Sequence, residues 1–183
     1  MDVEIAPADW ESFESVMGPK GGCGGCWCML WRRGAKDFAA GKGEGNRAAM
    51  RARFAAGRPP GLVARIDGAP VGWVHVAPRK ELPRLAGSRV LKPLDDLPVW
   101  SIACLLVAKP YRRQGLSARL IGAAADYAFA EGAPAVEGYP SERGRADAPA
   151  VFLWTGTPSA FRAAGFTEAA RRSPTRPIMR RAR

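Results

Sequence analysis

The chain has no run of about 18 consecutive apolar residues, the length a membrane-crossing helix needs, so no transmembrane segment is expected. Its first residues, Met1-Asp2-Val3-Glu4, lack a basic stretch followed by an apolar one. No secretory signal is therefore expected, and a cytoplasmic location is. No internal repeat and no linker-like stretch interrupts the 183 residues, which suit one domain spanning residues 1–183. Acidic residues are the scarcer charge: 17 Asp and Glu stand against 28 Lys and Arg, a formal net charge of +11. Such a surface draws anions, whether nucleic acid, acidic lipid or a phosphorylated cofactor. The basic residues are scattered, apart from Arg32-Arg33, Arg112-Arg113 and the stretch from Arg171 to Arg183. No basic stripe with interleaved aromatics is present, so nucleic acid is not expected as a partner, nor is a membrane.

There is a single histidine, His75, and there are four cysteines, Cys23, Cys26, Cys28 and Cys104. The first three are too tightly spaced for a disulfide framework, and a cytoplasmic chain keeps them reduced. A metal site would need a fourth ligand; Cys104 falls in an apolar run and His75 is distant in sequence, so no metal is expected.

What is present reads as alternating strands and helices. Residues 1–6 alternate weakly, as a first strand does. Asp9 is a helix-start signal ahead of Trp10, Phe13 and Val16 at helical spacing. Residues 18–28 are a Gly- and Cys-rich loop, and 45–57 read as a helix. Residues 61–66 and 71–76 are strands of a hairpin about the turn dipeptide Asp67-Gly68. Residues 77–97 carry Pro78, Pro83 and Pro93 and read as a long binding loop. Residues 99–107 are nearly all apolar, as in a central strand buried on both faces. Residues 115–131 place Leu116, Leu120, Ile121, Ala124 and Ala128 on one helical stripe. A short strand at 135–139, a helix at 159–164 and two strands at 166–171 and 175–180 complete an α/β order with parallel pairing in its middle.

The stretch with the most chemical content is residues 105–118, Leu-Leu-Val-Ala-Lys-Pro-Tyr-Arg-Arg-Gln-Gly-Leu-Ser-Ala. A buried strand runs into a basic turn that opens a helix. Unpaired N–H groups and a partial positive charge mark the first turn of a helix. Small residues at Gly115, Ser117 and Ala118 let a pyrophosphate approach the backbone, and Arg112 and Arg113 add charge beside it. No Gly-Lys-Ser/Thr follows, so this is not a P-loop, and Gly-x-Gly-x-x-Gly is absent.

The stretch resembles the cofactor motif of the GNAT superfamily of N-acetyltransferases, Arg/Gln-x-x-Gly-x-Gly/Ala after a strand ending in Val. Val107, Tyr111, Arg112, Gly115 and Ser117 fall at its positions, Ser117 replacing the final Gly or Ala. A second family element, a short helix ending in Gly-Phe, is matched by Phe161-Arg162-Ala163-Ala164-Gly165-Phe166. The resemblance implies a mixed, mostly antiparallel sheet with a central splayed parallel strand pair, flanked by helices. It implies acetyl-CoA as co-substrate and an amine as acceptor, most simply a small molecule. A protein Lys or N-terminal acetyltransferase and a catalytically silent CoA-binding regulator are the alternatives, and a homodimer is compatible with it. It assigns backbone groups of Leu105, Leu106 and Val107 to the pantetheine arm. Arg112, Arg113, Gln114, Gly115, Leu116, Ser117 and Ala118 are assigned to the pyrophosphate.

The reaction it implies is attack of an amine on the thioester. An alkyl ammonium has a reference pKa near 10.4, and freeing its lone pair at neutral pH costs about 4–5 kcal/mol. A general base helps. The family's usual base positions on the central strand are Ser101 and Ala103 here, and its usual Tyr acid is Phe161. Glu137 becomes the first candidate for base or amine-binding carboxylate, Tyr139 for acid, and Ser101 for ordering a water. Each has an ordinary structural alternative. Resemblance also places the segment after the first helix at the acceptor pocket, so Trp27, Cys28 and Trp31 are candidate acceptor contacts, with His75. Trp27 and Trp31 share a face if their segment is helical.

Overall fold

The computed structural model describes residues 2–142 and 153–183. Among them, seven strands form one sheet in the order β1-β2-β3-β4-β5-β7-β6. The strands are β1 Val3–Pro7, β2 Gly61–Ile66, β3 Ala69–Pro78, β4 Trp100–Val107, β5 Ala135–Gly138, β6 Thr167–Arg171 and β7 Pro177–Ala182. Every neighbouring pair is antiparallel except β4 and β5, which run parallel. The mixed sheet with a central parallel pair is the one expected.

The helices are α1 Trp10–Met17, α2 Ala35–Ala40, α3 Glu44–Ala55, α4 Pro83–Ala86, α5 Leu116–Ala130 and α6 Pro158–Ala163. Asp9 starts α1 by accepting the Ser12 N–H at 2.7 Å. The apolar stripe of α5 is buried as its spacing predicts: Leu116, Leu120, Ile121, Ala124 and Ala128 pack against Leu62, Val74, Ile102, Leu105 and Val107. On the opposite face, α1 and α3 bring Phe13, Met17 and Met50 onto Val63, Trp73 and Cys104. Burying such side chains contributes about 1.5–3 kcal/mol each.

Two readings need correction. Residues 77–97 are not structureless: β3 runs on to Pro78, a 3-10 turn covers Arg79–Glu81, and α4 follows. Leu82, Leu85 and Leu91 are each 3% exposed or less and anchor the segment over Ala103, Tyr139 and Ile178. The segment after α1 is not a helix that aligns Trp27 with Trp31. Trp27 and Cys28 adopt left-handed backbone angles, φ 46° and 56°, which break any helix there. The two indoles go to different clusters.

One irregularity of β4 organises the rest. Against β3 its register jumps: His75 lies opposite Cys104, but Val76 lies opposite Ile102. Ala103 is the extra residue of a β-bulge. Trp100, Ile102, Leu105 and Val107 therefore face α5, while Ala103 and Cys104 both turn to the other side. Pairing with β5 stops at the same point. It covers Trp100–Val136, Ser101–Glu137 and Ile102–Gly138, and beyond them the two strands part.

Candidate active site

The turn between β4 and α5 leaves a helix end open. Arg113 and Gly115 are both left-handed, φ 61° and 78°. Arg112 ties the turn to the strand by donating from Nε to the Val107 carbonyl at 2.8 Å, and Gln114 donates to the Pro110 carbonyl at 2.8 Å. Gly115 is the N-cap of α5, with no side-chain cap and no acidic residue in the first turn. A Cβ placed on Gly115 meets nothing within 4 Å, so the space above this helix end is open. Leu116 is 4% exposed with its side chain in the core, so only its backbone faces the turn's exterior. The helix end thus offers bare N–H groups and the positive end of its dipole, without a carboxylate in competition.

Beside this turn, β4 from Leu105 to Val107 has no β5 partner. The Leu105 N–H donates instead to the Trp154 carbonyl at 2.6 Å. A strand-like ligand arm along this edge would take over that donor.

The face of the sheet turned away from α5 carries a buried polar line. Ser101, Glu137 and Tyr139 are 0%, 1% and 1% exposed. Ser101 Oγ lies 2.7 Å from the Tyr139 hydroxyl, and the Tyr139 hydroxyl donates to Glu137 Oε2 at 3.0 Å. Arg79 also donates to the Tyr139 hydroxyl. Burial, with Glu137 close by, pushes the Tyr139 hydroxyl well above the ordinary tyrosine range, so it holds its proton. Since that proton goes to Glu137, Ser101 is the donor to Tyr139, and the Ser101 oxygen keeps its lone pairs for another donor.

Glu137 has no such freedom. Its Oε1 accepts from Arg180 Nε and Nη2 at 3.0 and 2.7 Å, and its Oε2 takes Tyr139 and lies 3.5 Å from Arg79. Asp95 holds the far side of Arg180 at 2.5 Å. Both Glu137 oxygens are already engaged, which fits an anchoring carboxylate better than a base waiting for a proton. Sequence reasoning missed Arg79 and Arg180. The signal available was the basic residue directly after the apolar Pro177-Ile178-Met179.

The expected acceptor contacts divide. Trp27 is 5% exposed and packs with Trp10 and Phe13, with Arg47 over its ring. Cys28 accepts from Trp73 Nε1 at 3.2 Å and lies 3.3 Å from Cys104 Sγ. Both belong to the packing under α1. Trp31 packs against Trp154 at a tilt of 37°, ring centroids 6.1 Å apart. His75 is fully buried, and its Nε2 accepts from Arg32 Nε at 3.0 Å. Cys23 is exposed and Cys26 half-buried, apart from the Cys28–Cys104 pair.

Residues 28–148 match the sequence model of the acetyltransferase (GNAT) family, well over half of the chain. The chain belongs to that family. No curated protein matches it. Solved structures share its fold at low identity. The N-acetyltransferase PaiA from Thermoplasma acidophilum, in complex with coenzyme A, is 13% identical with TM-score 0.56, covering all of both chains. YncA from Salmonella typhimurium, with its cofactor acetyl-CoA, is 15% identical with TM-score 0.58, covering 98% of this chain and 93% of its own. The aminoglycoside acetyltransferase AAC(6')-Ib with coenzyme A is 14% identical with TM-score 0.58, covering 100% and 95%. Among the described residues no helix is long and apolar enough to cross a membrane, and no group of three or more His, Cys, Asp or Glu side chains is placed to hold a metal.

Proposed function

We propose that this chain moves an acetyl group from acetyl-CoA to the amine of a small molecule. The observation that carries the reading is the uncapped α5 N-terminus at Gly115 set beside a β4 edge that β5 leaves unpaired. Leu105, Leu106 and Val107 offer that edge to the pantetheine arm, and the amides from Arg113 to Ala118 offer the pyrophosphate site. In the reaction the amine nitrogen bonds to the thioester carbon and the C–S bond breaks. The sulfur leaves as a thiolate, the nitrogen gives up one proton to it, and an N-acetyl amide and free CoA result.

Ser101 heads the Ser101–Tyr139–Glu137 chain and takes a hydrogen bond from the attacking amine or from a water beside it. Tyr139 and Glu137 are positioning residues, held by Arg79 and Arg180. The test is thiol release from acetyl-CoA by purified protein against a panel of small amines, with the acetylated product confirmed by mass. Amine-dependent release is expected. CoA binding without release for any amine overturns the reading. Ser101→Ala is expected to lower kcat about 100-fold, the low end for losing a proton-handling group. Glu137→Gln is expected to lower kcat without changing the shape of its pH profile; a lost acidic limb would make Glu137 the base instead.

A further inference from the structure

Among the described residues three buried side-chain polar atoms have no hydrogen-bond partner: Trp31 Nε1, His75 Nδ1 and Thr155 Oγ1. A buried donor left alone costs about 1–3 kcal/mol, so each one in a native structure calls for an explanation. Three in one neighbourhood need a common explanation. Trp31 packs on Trp154, the residue before Thr155. The Trp154 carbonyl sits on the Leu105 amide, and His75 lies opposite Cys104, the residue before Leu105. Arg32, next to Trp31, bonds His75. All three orphans therefore belong to segments that meet where β4 bulges and leaves β5.

Their chemistry is one-sided. Burial first, then Arg32, pushes the His75 pKa well below the usual histidine value, so the ring is neutral. Its Nε2 accepts from Arg32, so its hydrogen is on Nδ1, and that atom is a donor. Trp31 Nε1 can only donate, and the Thr155 hydroxyl can donate. Nearby charge has the same sense. Arg32, 9% exposed, reaches Glu81 at 2.9 Å, and Arg53 and Arg58 share that same carboxylate at 3.4 and 3.8 Å. Glu137 is shared by Arg79 and Arg180. Both Glu137 oxygens are taken and Glu81 is outnumbered by three arginines, so neither carboxylate suits an incoming ammonium, while unused donors remain.

We infer that the acceptor is an amine that also carries a carboxylate, and that Trp31 Nε1 and His75 Nδ1 hold that carboxylate, with Thr155 Oγ1 as a third donor. The inference rests on the acetyl-transfer reading and narrows it. Polyamines and other purely cationic amines lack the group these donors need and meet only arginine charge.

The test uses matched amines that differ in the carboxylate: phenylalanine against phenethylamine, leucine against 3-methylbutylamine, β-alanine against ethylamine. Each is assayed for thiol release from acetyl-CoA, and each is titrated calorimetrically into the protein–CoA complex. The carboxylate-bearing member of a pair is expected to bind at least tenfold more tightly and to show the higher kcat/KM. Trp31→Phe keeps the ring and removes the N–H. It is expected to raise KM for the carboxylate-bearing amine about tenfold, leaving KM for acetyl-CoA and for the carboxylate-free partner unchanged. His75→Gln, which retains an N–H donor, is expected to lose less than His75→Leu. Equal or better use of the carboxylate-free partner overturns the inference while acetyl transfer stands, and so does a Trp31→Phe effect equal on both partners. Absence of calorimetric binding by every carboxylate-bearing amine also overturns it, whatever the turnover. Absence of thiol release with all amines overturns acetyl transfer itself.

Discussion

Replacing Gly115 by Ala separates the two things that residue does. It holds a left-handed angle, φ 78°, and it leaves the end of α5 bare. A Cβ there meets no atom within 4 Å, so the replacement creates no clash, and its cost to the fold is conformational. An L-residue in this region costs about 1–2 kcal/mol. Lower freedom of the unfolded chain returns about 0.4–1 kcal/mol. The net loss is about 1 kcal/mol, or about 2–4 °C in Tm for a chain of this size. The same methyl stands where a phosphate would approach the N–H groups of the helix end. Losing one charge-assisted hydrogen bond there costs about 1.5–3 kcal/mol, or about 10- to 100-fold in affinity. Scanning calorimetry of the free protein reads the first effect, and titration with CoA reads the second. Gly122→Ala is the control. It lies inside α5, a Cβ meets nothing within 4 Å, and it carries no positive φ. It is expected to stabilise by about 0.5–1 kcal/mol and to leave CoA affinity unchanged. CoA binding by Gly115→Ala within twofold of the parent, or equal weakening by Gly122→Ala, refutes the placement of the phosphate site.

Three further outcomes follow from the packing and the charges. A Cβ at Gly138 would lie 2.0 Å from Phe161 Cε1, and Phe161 is 0% exposed. Gly138→Ala is expected to cost about 3 kcal/mol or more, read as a lower denaturant midpoint at unchanged slope; a shift under about 1 kcal/mol refutes the close packing of β5 on α6. The Asp9 carboxyl is held below its ordinary value of 3.8, first by the Ser12 N–H and also by the Ser12 hydroxyl and Arg65. A depressed carboxyl stabilises above its unfolded value and loses that contribution as pH falls through its folded one. Asp9→Asn should therefore be less stable than the parent at pH 7, with the gap closing below about pH 4; a gap constant down to pH 2 counts against the assignment. Cys28 holds its proton because it donates it to Cys104 Sγ and burial disfavours the thiolate, whereas Cys23 is exposed. Iodoacetamide at pH 8 should alkylate Cys23 well before Cys28, as mapped by peptide mass; comparable rates would contradict the buried pair.

The parts of this fold that sequence reveals are those with a period. The helical stripe of α5, the two-residue turn at Asp67-Gly68 and the strand-turn-helix around Gly115 are each set by a local pattern, and each lies where the pattern puts it. β4 was legible as a buried strand for the same reason that its bulge was not. Val-Trp-Ser-Ile-Ala-Cys-Leu-Leu-Val is apolar nearly throughout, so no alternation exists for an extra residue to interrupt. The ties of Glu137 were hidden because they are long-range: Arg79 and Arg180 lie far from it in sequence on either side. Trp27 and Cys28 look like helix or pocket residues until their backbone angles are known. The Trp154 carbonyl on Leu105 could not be anticipated, because a backbone contact leaves no trace in residue type.

The extra residue at Ala103 also sets how this chain can change over time. Upstream of it, even-numbered positions of β4 face α5; downstream, odd-numbered ones do. Substitutions along the strand are judged one side chain at a time. Loss of the Ala103 codon would restore strict alternation, and Trp100, Ile102, Leu105 and Val107 would all still face α5. The inside-outside order of the strand therefore does not protect the extra residue. What it accompanies is the parting of β4 from β5, which begins at the same point. Relatives that keep the gap should keep the count, and a chain that loses the residue should lose the gap before it loses its core.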